Sequence, residues 1–525
     1  TFPIDWANAA YDRNWRFNLN SWKMVEPMFA WHARSGERLP MRMAIDLIAD
    51  WARFNIFETN ENDMRWYDIA TGQRAMKLAF LLDSIYRGRM EASDAELALL
   101  LGLSHIHVKK LLDPEFINPG NHGTFQIHGL AALCRGFPML RLCKGAGGYI
   151  SAQMEQLVIG QFGDEAMHRE HSAEYHFFMY KVFERLFSTG WYDDLEVTKG
   201  LLARAEANKR WLIFPNGEVA RHGDTDQRAE PLPDPAAMDL AQDCADPTGR
   251  IGECSLMRIF DEVGYATVRS AWDAEVDRAS MLFLMGSYHS HAHKQRDHLS
   301  IELFERGLPI LVDSGKFAYD PDNPRRDYVQ STRAHNTVEI DGQDYTRNKR
   351  NAVGSMLRGA AAADWGYRID AGLRHVELEA DHHRTLAYRP GRWLLVLDRM
   401  TSDRARTYEQ WFHLHETLTA RLDADGYRID LPEGRGRVRA IAASDAEGCA
   451  LRRARGQETP RLQGWISREY RSFAPNDAIG FACQGQDVAL ATLFILEQDQ
   501  DAPITLRREG AVWTIADARD GVDVA

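Results

Sequence analysis

The sequence predicts an α+β chain in which a helical half precedes an all-β half. Three observations carry this. From about residue 40 to 215 apolar residues recur every three or four positions; from about 225 to 250 periodicity is lost and Pro, Asp and Ala dominate. Beyond that, β-branched and aromatic runs with turn residues between them take over.

The helical segments read in order are MAIDLIADWARF, AMKLAFLLDSIYRG, DAELALLLGLSHIHVKKLL, QIHGLAALCRGF, MEQLVIGQFG and YHFFMYKVFERLF. Short breaks holding Gly, Pro, Asn or Asp separate them, which suggests antiparallel helical hairpins without a strict repeat. TDQRAEPLPDPAAMDLAQDCADPTG is the expected linker, so the domains are placed at 1–245 and 246–525. The strands read are YATVRSAW, SIELFERGLPILVD, NTVEIDGQDY, RWLLVLDRM, TYEQWFHLHETL, VALATLFILEQ and AVWTIADA. Arg306-Gly307 and Asp341-Gly342 stand where two-residue hairpin turns belong.

Composition limits the function. The 525 residues are 45% hydrophobic and 26% charged, and no apolar run approaches the roughly 18 to 20 residues of a membrane helix. Membrane insertion is therefore not expected. A formal net charge of -13 argues against a sequence-independent nucleic-acid binder. Cys134, Cys143, Cys244, Cys254, Cys449 and Cys483 show no CxxC spacing, and their number fits three disulfides or none. TFPIDWANAAYDRNW holds no basic stretch followed by an apolar one, so no signal peptide is present in this chain. Because the chain does not begin with Met, that says little about compartment.

Three stretches carry chemistry. In DPEFINPGNHGTFQIHGL, Asn121 and His122 fall at a helix start, where free backbone N–H groups favour an anion such as a carboxylate; a plain capping loop is the alternative. In GDEAMHREHSAEYHFFMY, Glu170, Ser172, Tyr175 and His176 gather at another helix start. Tyr175 is either a packing residue or a phenol able to exchange a proton with a carbon acid. In SYHSHAHKQRDHLSIELF, period two places His289, His291, His293, Gln295 and Asp297 on one face of a strand. Three imidazoles there could bind zinc with partners such as Asp313 and His335, or form a binding face without metal.

Taken together, NPGNHG, REHSAEYH, HKQRDHLSIELFERGLPILVDSG and STRAHNTVEIDG resemble the heparinase II/III-like polysaccharide lyases, with DRNWRFNLNSW and QWFHLH adding to the match. The resemblance implies an incomplete (α/α) toroid followed by an antiparallel β-sandwich, and cleavage of uronic-acid polysaccharides by β-elimination. It assigns Asn121, with His122, to the uronate carboxylate, and Tyr175 and His293 to proton transfer, with the division into base and acid left open. Glu170, Arg296, Arg333 and Tyr319 are the candidate substrate-binding residues. Its metal ligands would map to Gln295, Asp313 and His335, but a Gln carbonyl is a poor zinc ligand. No cofactor is then required, and a structural divalent metal, zinc or calcium, is the alternative.

Lys294, Arg296, Lys316, Arg325, Arg326, Arg333, Arg347, Lys349 and Arg350 could line a cleft for a polyanion. With the chain at -13, a lightly sulfated or unsulfated uronate polymer, glycosaminoglycan-like or a bacterial exopolysaccharide, is the expected partner. A glycoside hydrolase using Glu170 and Asp164, or a glycan-binding protein without activity, are the competing readings. The expected location is periplasmic or secreted.

Overall fold

A computed structural model describes residues 4–8, 10, 12–58, 60–232, 256–272, 275–320, 322–497, 503–517 and the backbone of 520–523. The chain forms two compact units, one of Thr1–Phe162 with Lys181–Leu202 and one of Gly163–Tyr180 with Ala203–Ala525. The expected boundary between 245 and 246 lies outside the described residues, as do Cys244 and Cys254.

The first unit is helical: α1 (Arg13–Asn20), α2 (Glu26–Ser35), α3 (Leu39–Ala52), α4 (Asp68–Tyr86), α5 (Asp94–Leu111), α6 (Asn121–Gly136) and α7 (Ala146–Phe162). The ends of α8 (Ala173–Phe187) and α9 (Glu196–Asn208) fall to different units. Each start has a local cause. In α5 a Ser93–Glu96 capping box satisfies the first N–H groups, and α3 begins on Leu39-Pro40, where a missing N–H costs nothing.

Helices α4 and α6 touch through glycine. A Cβ on Gly72 would lie 2.3 Å from the Phe125 carbonyl oxygen, and one on Gly129 would lie 2.3 Å from the Gly72 oxygen. This close approach fixes where α6 begins relative to the start of α4. A Cys134–Cys143 disulfide closes the turn after α6.

The second unit is a β-sandwich. Met257–Phe260, Tyr265–Arg269, Met281–Met285, Ser300–Glu305 and Leu308–Leu311 form a five-stranded antiparallel sheet in that order. A ten-stranded sheet is centred on two long strands, Trp393–His413 and Asp477–Glu497, paired antiparallel. Alternation along Met281–Met285 sorts its side chains. Leu282 and Leu284 enter a core with Val396, Phe412, Val438 and Phe494 of the ten-stranded sheet, each worth about 1.5–3 kcal/mol of burial. Met281, Phe283 and Met285 enter a second core with Met167, Ala173, Phe177 and Trp211. That second core is why Gly163–Tyr180, with the start of α8, belongs to the β unit. Cys449–Cys483 ties the ten-stranded sheet.

The two-residue turns are as expected: Arg306 and Gly307 have φ of 53° and 77°, Asp341 and Gly342 of 52° and 67°. The described part of the expected linker, 225–232, is folded into the β unit, with Gln227 N–H donating to the Arg468 oxygen at 2.8 Å.

One expectation fails. His289 to Asp297 do not form a strand: Ser287–Tyr288 is a two-residue strand, and the next strand starts at Ser300. His293 adopts φ 52° and Leu299 φ 61°, and Lys294 pairs with Asp297 inside the loop, so alternation in the sequence does not become alternation of faces.

Candidate active site

In the β unit the start of α8 and the 289–298 loop meet. The Tyr175 and His293 rings stack with centroids 3.6 Å apart and planes 23° apart. Each His293 nitrogen faces a carboxylate, Nε2 lying 3.5 Å from Glu170 and Nδ1 3.5 Å from Asp224. Tyr319 stands edge-on to His293 at 6.4 Å between centroids. Sequence reasoning had Glu170, Tyr175, His293 and Tyr319; it missed Asp224.

Asp224 is 4% exposed and held from several sides. Arg326 Nη2 lies 2.7 and 2.9 Å from its two oxygens, and the Gln295 amide donates to Oδ1 at 3.0 Å. Burial alone would raise its carboxyl, but the His293 imidazole beside it and the charge of Arg326 bring it down to about 2. The neighbouring Gly223 has φ 61°, and a Cβ there would lie 2.0 Å from the His171 oxygen and 2.9 Å from the His293 oxygen. Only glycine lets this loop pass so close.

His171, also missed, clamps the 289–298 loop. The His289 N–H donates to its Nε2 at 2.8 Å, so Nδ1 carries the hydrogen and donates to the Ala292 oxygen at 2.9 Å. Burial pushes its imidazole down to about 3, keeping it neutral. Tyr175 is pushed the other way. Desolvation raises its phenol, the Tyr319 hydroxyl opposes this, and the charges of Glu170, Asp224 and Glu174 raise it further. The phenol therefore keeps its proton at neutral pH.

Not every basic residue faces a cleft. Lys294, expected to line one, is fully buried and paired with Asp297, whose other oxygen accepts from Gly223 N–H at 3.0 Å. Lys316 lies 2.6 Å from Asp226 and 3.4 Å from Glu174. Arg333 donates to the Leu462 oxygen at 3.0 Å and stands 3.8 Å from Glu339; Arg296 stands 3.6 Å from Asp344.

The implied metal position can be tested on its donors. The Gln295 NH₂ donates to Gly223 O at 2.9 Å, Asp224 Oδ1 at 3.0 Å and Gly315 O at 3.3 Å, which fixes the amide orientation, while Oε1 is buried without a hydrogen-bond partner. His335 Nδ1–H donates at 2.8 Å to Oδ2 of Asp313, whose Oδ1 accepts from Gly315 N–H at 2.8 Å, while His335 Nε2 is buried without a hydrogen-bond partner. Among the described residues no three His, Cys, Asp or Glu side chains gather to hold a metal ion. One amide oxygen and one imidazole nitrogen, beside a carboxylate whose two oxygens already accept hydrogen bonds, do not make zinc's usual tetrahedral set.

In the helical unit, α6 begins at Asn121 after Gly120, and no side chain caps it. His122 Nδ1 lies 2.9 Å from Asp68 Oδ1, and Asn118 Nδ2 donates to Asp68 Oδ2 at 2.9 Å. A Cβ on Gly123 would lie 1.9 Å from the Asn118 oxygen, so the loop can close on the helix only with glycine there. Burial would raise the Asp68 carboxyl, but the hydrogen bond and charge of His122 lower it. Asp68 was not found from sequence.

The Heparinase II/III N-terminus family matches residues 2–196 and the Heparinase II/III-like C-terminal family matches 255–492; the chain belongs to the heparinase II/III family. A heparin-sulfate lyase of Pedobacter heparinus is 24% identical over 209 residues, which span 38% of this chain and only 30% of the relative. The crystal structure of a heparinase III matches with TM-score 0.76 at 15% identity over 99% of this chain and 85% of the other. A crystal structure of a heparan sulfate lyase mutant from Pedobacter heparinus matches with TM-score 0.69 at 17% identity, over 99% and 84%. The fold is thus an incomplete (α/α) toroid followed by an antiparallel β-sandwich. Among the described residues no helix is long and apolar enough to cross a membrane.

Proposed function

We propose that the protein is a polysaccharide lyase that cleaves a uronic-acid polysaccharide by β-elimination, leaving 4,5-unsaturated uronate ends. The observation that carries this is the Tyr175–His293 stack with a carboxylate at each His293 nitrogen. Removing the C5 proton loads a second negative charge onto the uronate carboxylate. Hydrogen-bond donors stabilise that charge where it develops. Asn121 and His122, at the uncapped start of α6, are the donor groups for it. Tyr175, kept protonated by burial and by Glu170, Asp224 and Glu174, protonates the departing O4, and His293 takes the C5 proton.

The substrate is lightly sulfated or unsulfated, glycosaminoglycan-like or a bacterial exopolysaccharide. Glu170, Glu174, Asp224 and Asp226 surround Tyr175 and His293 against Lys316 and Arg326, a balance that disfavours sulfate next to the scissile bond. The chemistry needs no cofactor, since acid, base and carboxylate donors are all side chains. A periplasmic or secreted location is supported by the Cys134–Cys143 and Cys449–Cys483 disulfides, bonds that persist in oxidising compartments.

A panel of heparosan, heparan sulfate, hyaluronan, alginate and glucuronate exopolysaccharide tests the reading. Elimination raises ultraviolet absorbance from the new C4=C5 bond. Reducing ends without that absorbance on every polymer would replace elimination by hydrolysis.

A further inference from the structure

We infer that Asp68 is a positioning residue that accepts from His122 Nδ1–H and so turns Nε2, the donor of the protonated ring, to the uronate carboxylate; this rests on the function proposed above. Asp68 opens α4, and its carboxylate collects three donors: Ile69 N–H at 2.7 Å, Asn118 Nδ2 at 2.9 Å and His122 Nδ1 at 2.9 Å. A carboxylate of this kind only accepts, so Nδ1 must carry hydrogen and Nε2 is left as the functional nitrogen. When His122 is protonated, Nε2–H is a donor and Asp68 balances the imidazolium. In the neutral Nδ1–H form Nε2 has only a lone pair and does not donate to a carboxylate, so the donor is the imidazolium.

The arrangement is built in advance of substrate. Gly72 and Gly129 bring α4 and α6 together so closely that a Cβ on either would overlap backbone at 2.3 Å, and Gly123 lets the 118–122 loop fold back. Tyr67 packs edge-on to the imidazole with centroids 5.8 Å apart, and Asn118 Oδ1 accepts from Gly120 N–H at 2.8 Å. Ring plane, tautomer and loop are therefore set by one carboxylate that itself lies behind the imidazole. A residue acting only as a helix start would need neither Asn118 nor His122.

Two measurements test it. In the ¹⁵N spectrum of histidine-labelled protein, assigned with His122→Gln, the His122 signal should show the Nδ1–H tautomer; an Nε2–H tautomer in the unaltered protein overturns the inference without reference to any substrate. On a polymer the enzyme cleaves, Asp68→Asn should lower kcat about tenfold to a hundredfold, the cost of a misplaced group, with KM little changed. Asp68→Ala combined with His122→Ala should be no slower than His122→Ala alone. Wild-type kinetics in Asp68→Asn, or a loss that adds to that of His122→Ala, overturns the inference. If no uronate polymer is cleaved, it is the proposed function that fails, and the tautomer measurement alone decides the role of Asp68.

Discussion

Tyr175 and His293 lie face to face at 3.6 Å, a tyrosine that keeps its proton against an imidazole flanked by Glu170 and Asp224. A proton donor and a proton acceptor in van der Waals contact suit a reaction that takes a proton from one carbon and returns one to a nearby oxygen. Tyr175→Phe keeps the ring stack and removes only the hydroxyl proposed as the acid. It should lower kcat about 10²–10⁴-fold with an unchanged melting curve, measured by ultraviolet absorbance and circular dichroism. Equal rates in Tyr175→Phe and wild type would remove Tyr175 from the mechanism.

Asp224 separates structural from electrostatic roles. Arg326 is 5% exposed and relies on Asp224, so Asp224→Ala leaves a buried guanidinium short of its carboxylate at a cost of about 3–5 kcal/mol. Asp224→Asn keeps an oxygen for the Gln295 amide and loses the charge beside His293. The expected order is a large fall in melting temperature for Ala, a smaller one for Asn, and a fall in kcat for both. Full activity in Asp224→Asn would show that His293 needs no anion at Nδ1.

Glu302 gives a pH dependence with a definite sign. Burial, and then the charge of Asp313, raise its carboxyl to about 8, while the Arg221 N–H donates to it at 2.7 Å on the loop that leads to Asp224. The unfolded value is about 4.3. Stability from the protonated form is complete below that value and is lost as pH rises through the folded one. Glu302→Gln mimics the protonated acid at every pH, so it should gain on wild type between about pH 4.3 and 8. Melting temperatures of both proteins at pH 5, 7 and 9 check this, and a constant difference would refute the raised value.

Much of the fold was legible because it rests on local pattern. The 3.6-residue period found α3 to α8, and Asp341-Gly342 marked its turn because both residues must adopt positive φ. Asn121, His122, Tyr175 and His293 were singled out through motif resemblance, since a helix start shows in the sequence. Asp68, His171 and Asp224 were not. Their partners are 54, 121 and about 70 positions away, and only the fold brings them together. The histidine run misled for a related reason. Its alternation is compositional, and His293 gains its place through a positive φ that no period-two reading contains.

The α4–α6 contact predicts opposite outcomes for two glycines. Gly72→Ala would put Cβ 2.3 Å from the Phe125 oxygen and should cost about 1–3 kcal/mol, or more if the helices cannot part. Because it would move α4 against α6, it should also loosen the Asp68–His122 bond and slow turnover. Gly102 in α5 has no neighbour within 4 Å of such a Cβ, so Gly102→Ala should instead stabilise by about 0.5–1 kcal/mol. Chemical denaturation of the two variants checks the pair; equal and small effects would mean the helices do not depend on the close approach.

Gln295 determines what a chelator should do. Its NH₂ is bonded to Gly223 O, Asp224 Oδ1 and Gly315 O, so it joins by hydrogen bonds the loop of Asp224 to the segment that follows Asp313. A metal at this place would need acceptor atoms turned inward, whereas the amide turns its donors towards acceptors. Treatment with EDTA followed by dialysis should therefore leave melting temperature and kcat unchanged, and metal analysis should find less than one ion per chain. Gln295→His should lose most of these bonds, weaken the support of Asp224 and lower kcat. If added zinc restored that variant above wild type, Asp313 and His335 would retain a latent metal site. If EDTA abolished wild-type activity and zinc restored it, the hydrogen-bonded reading of Gln295 would be wrong.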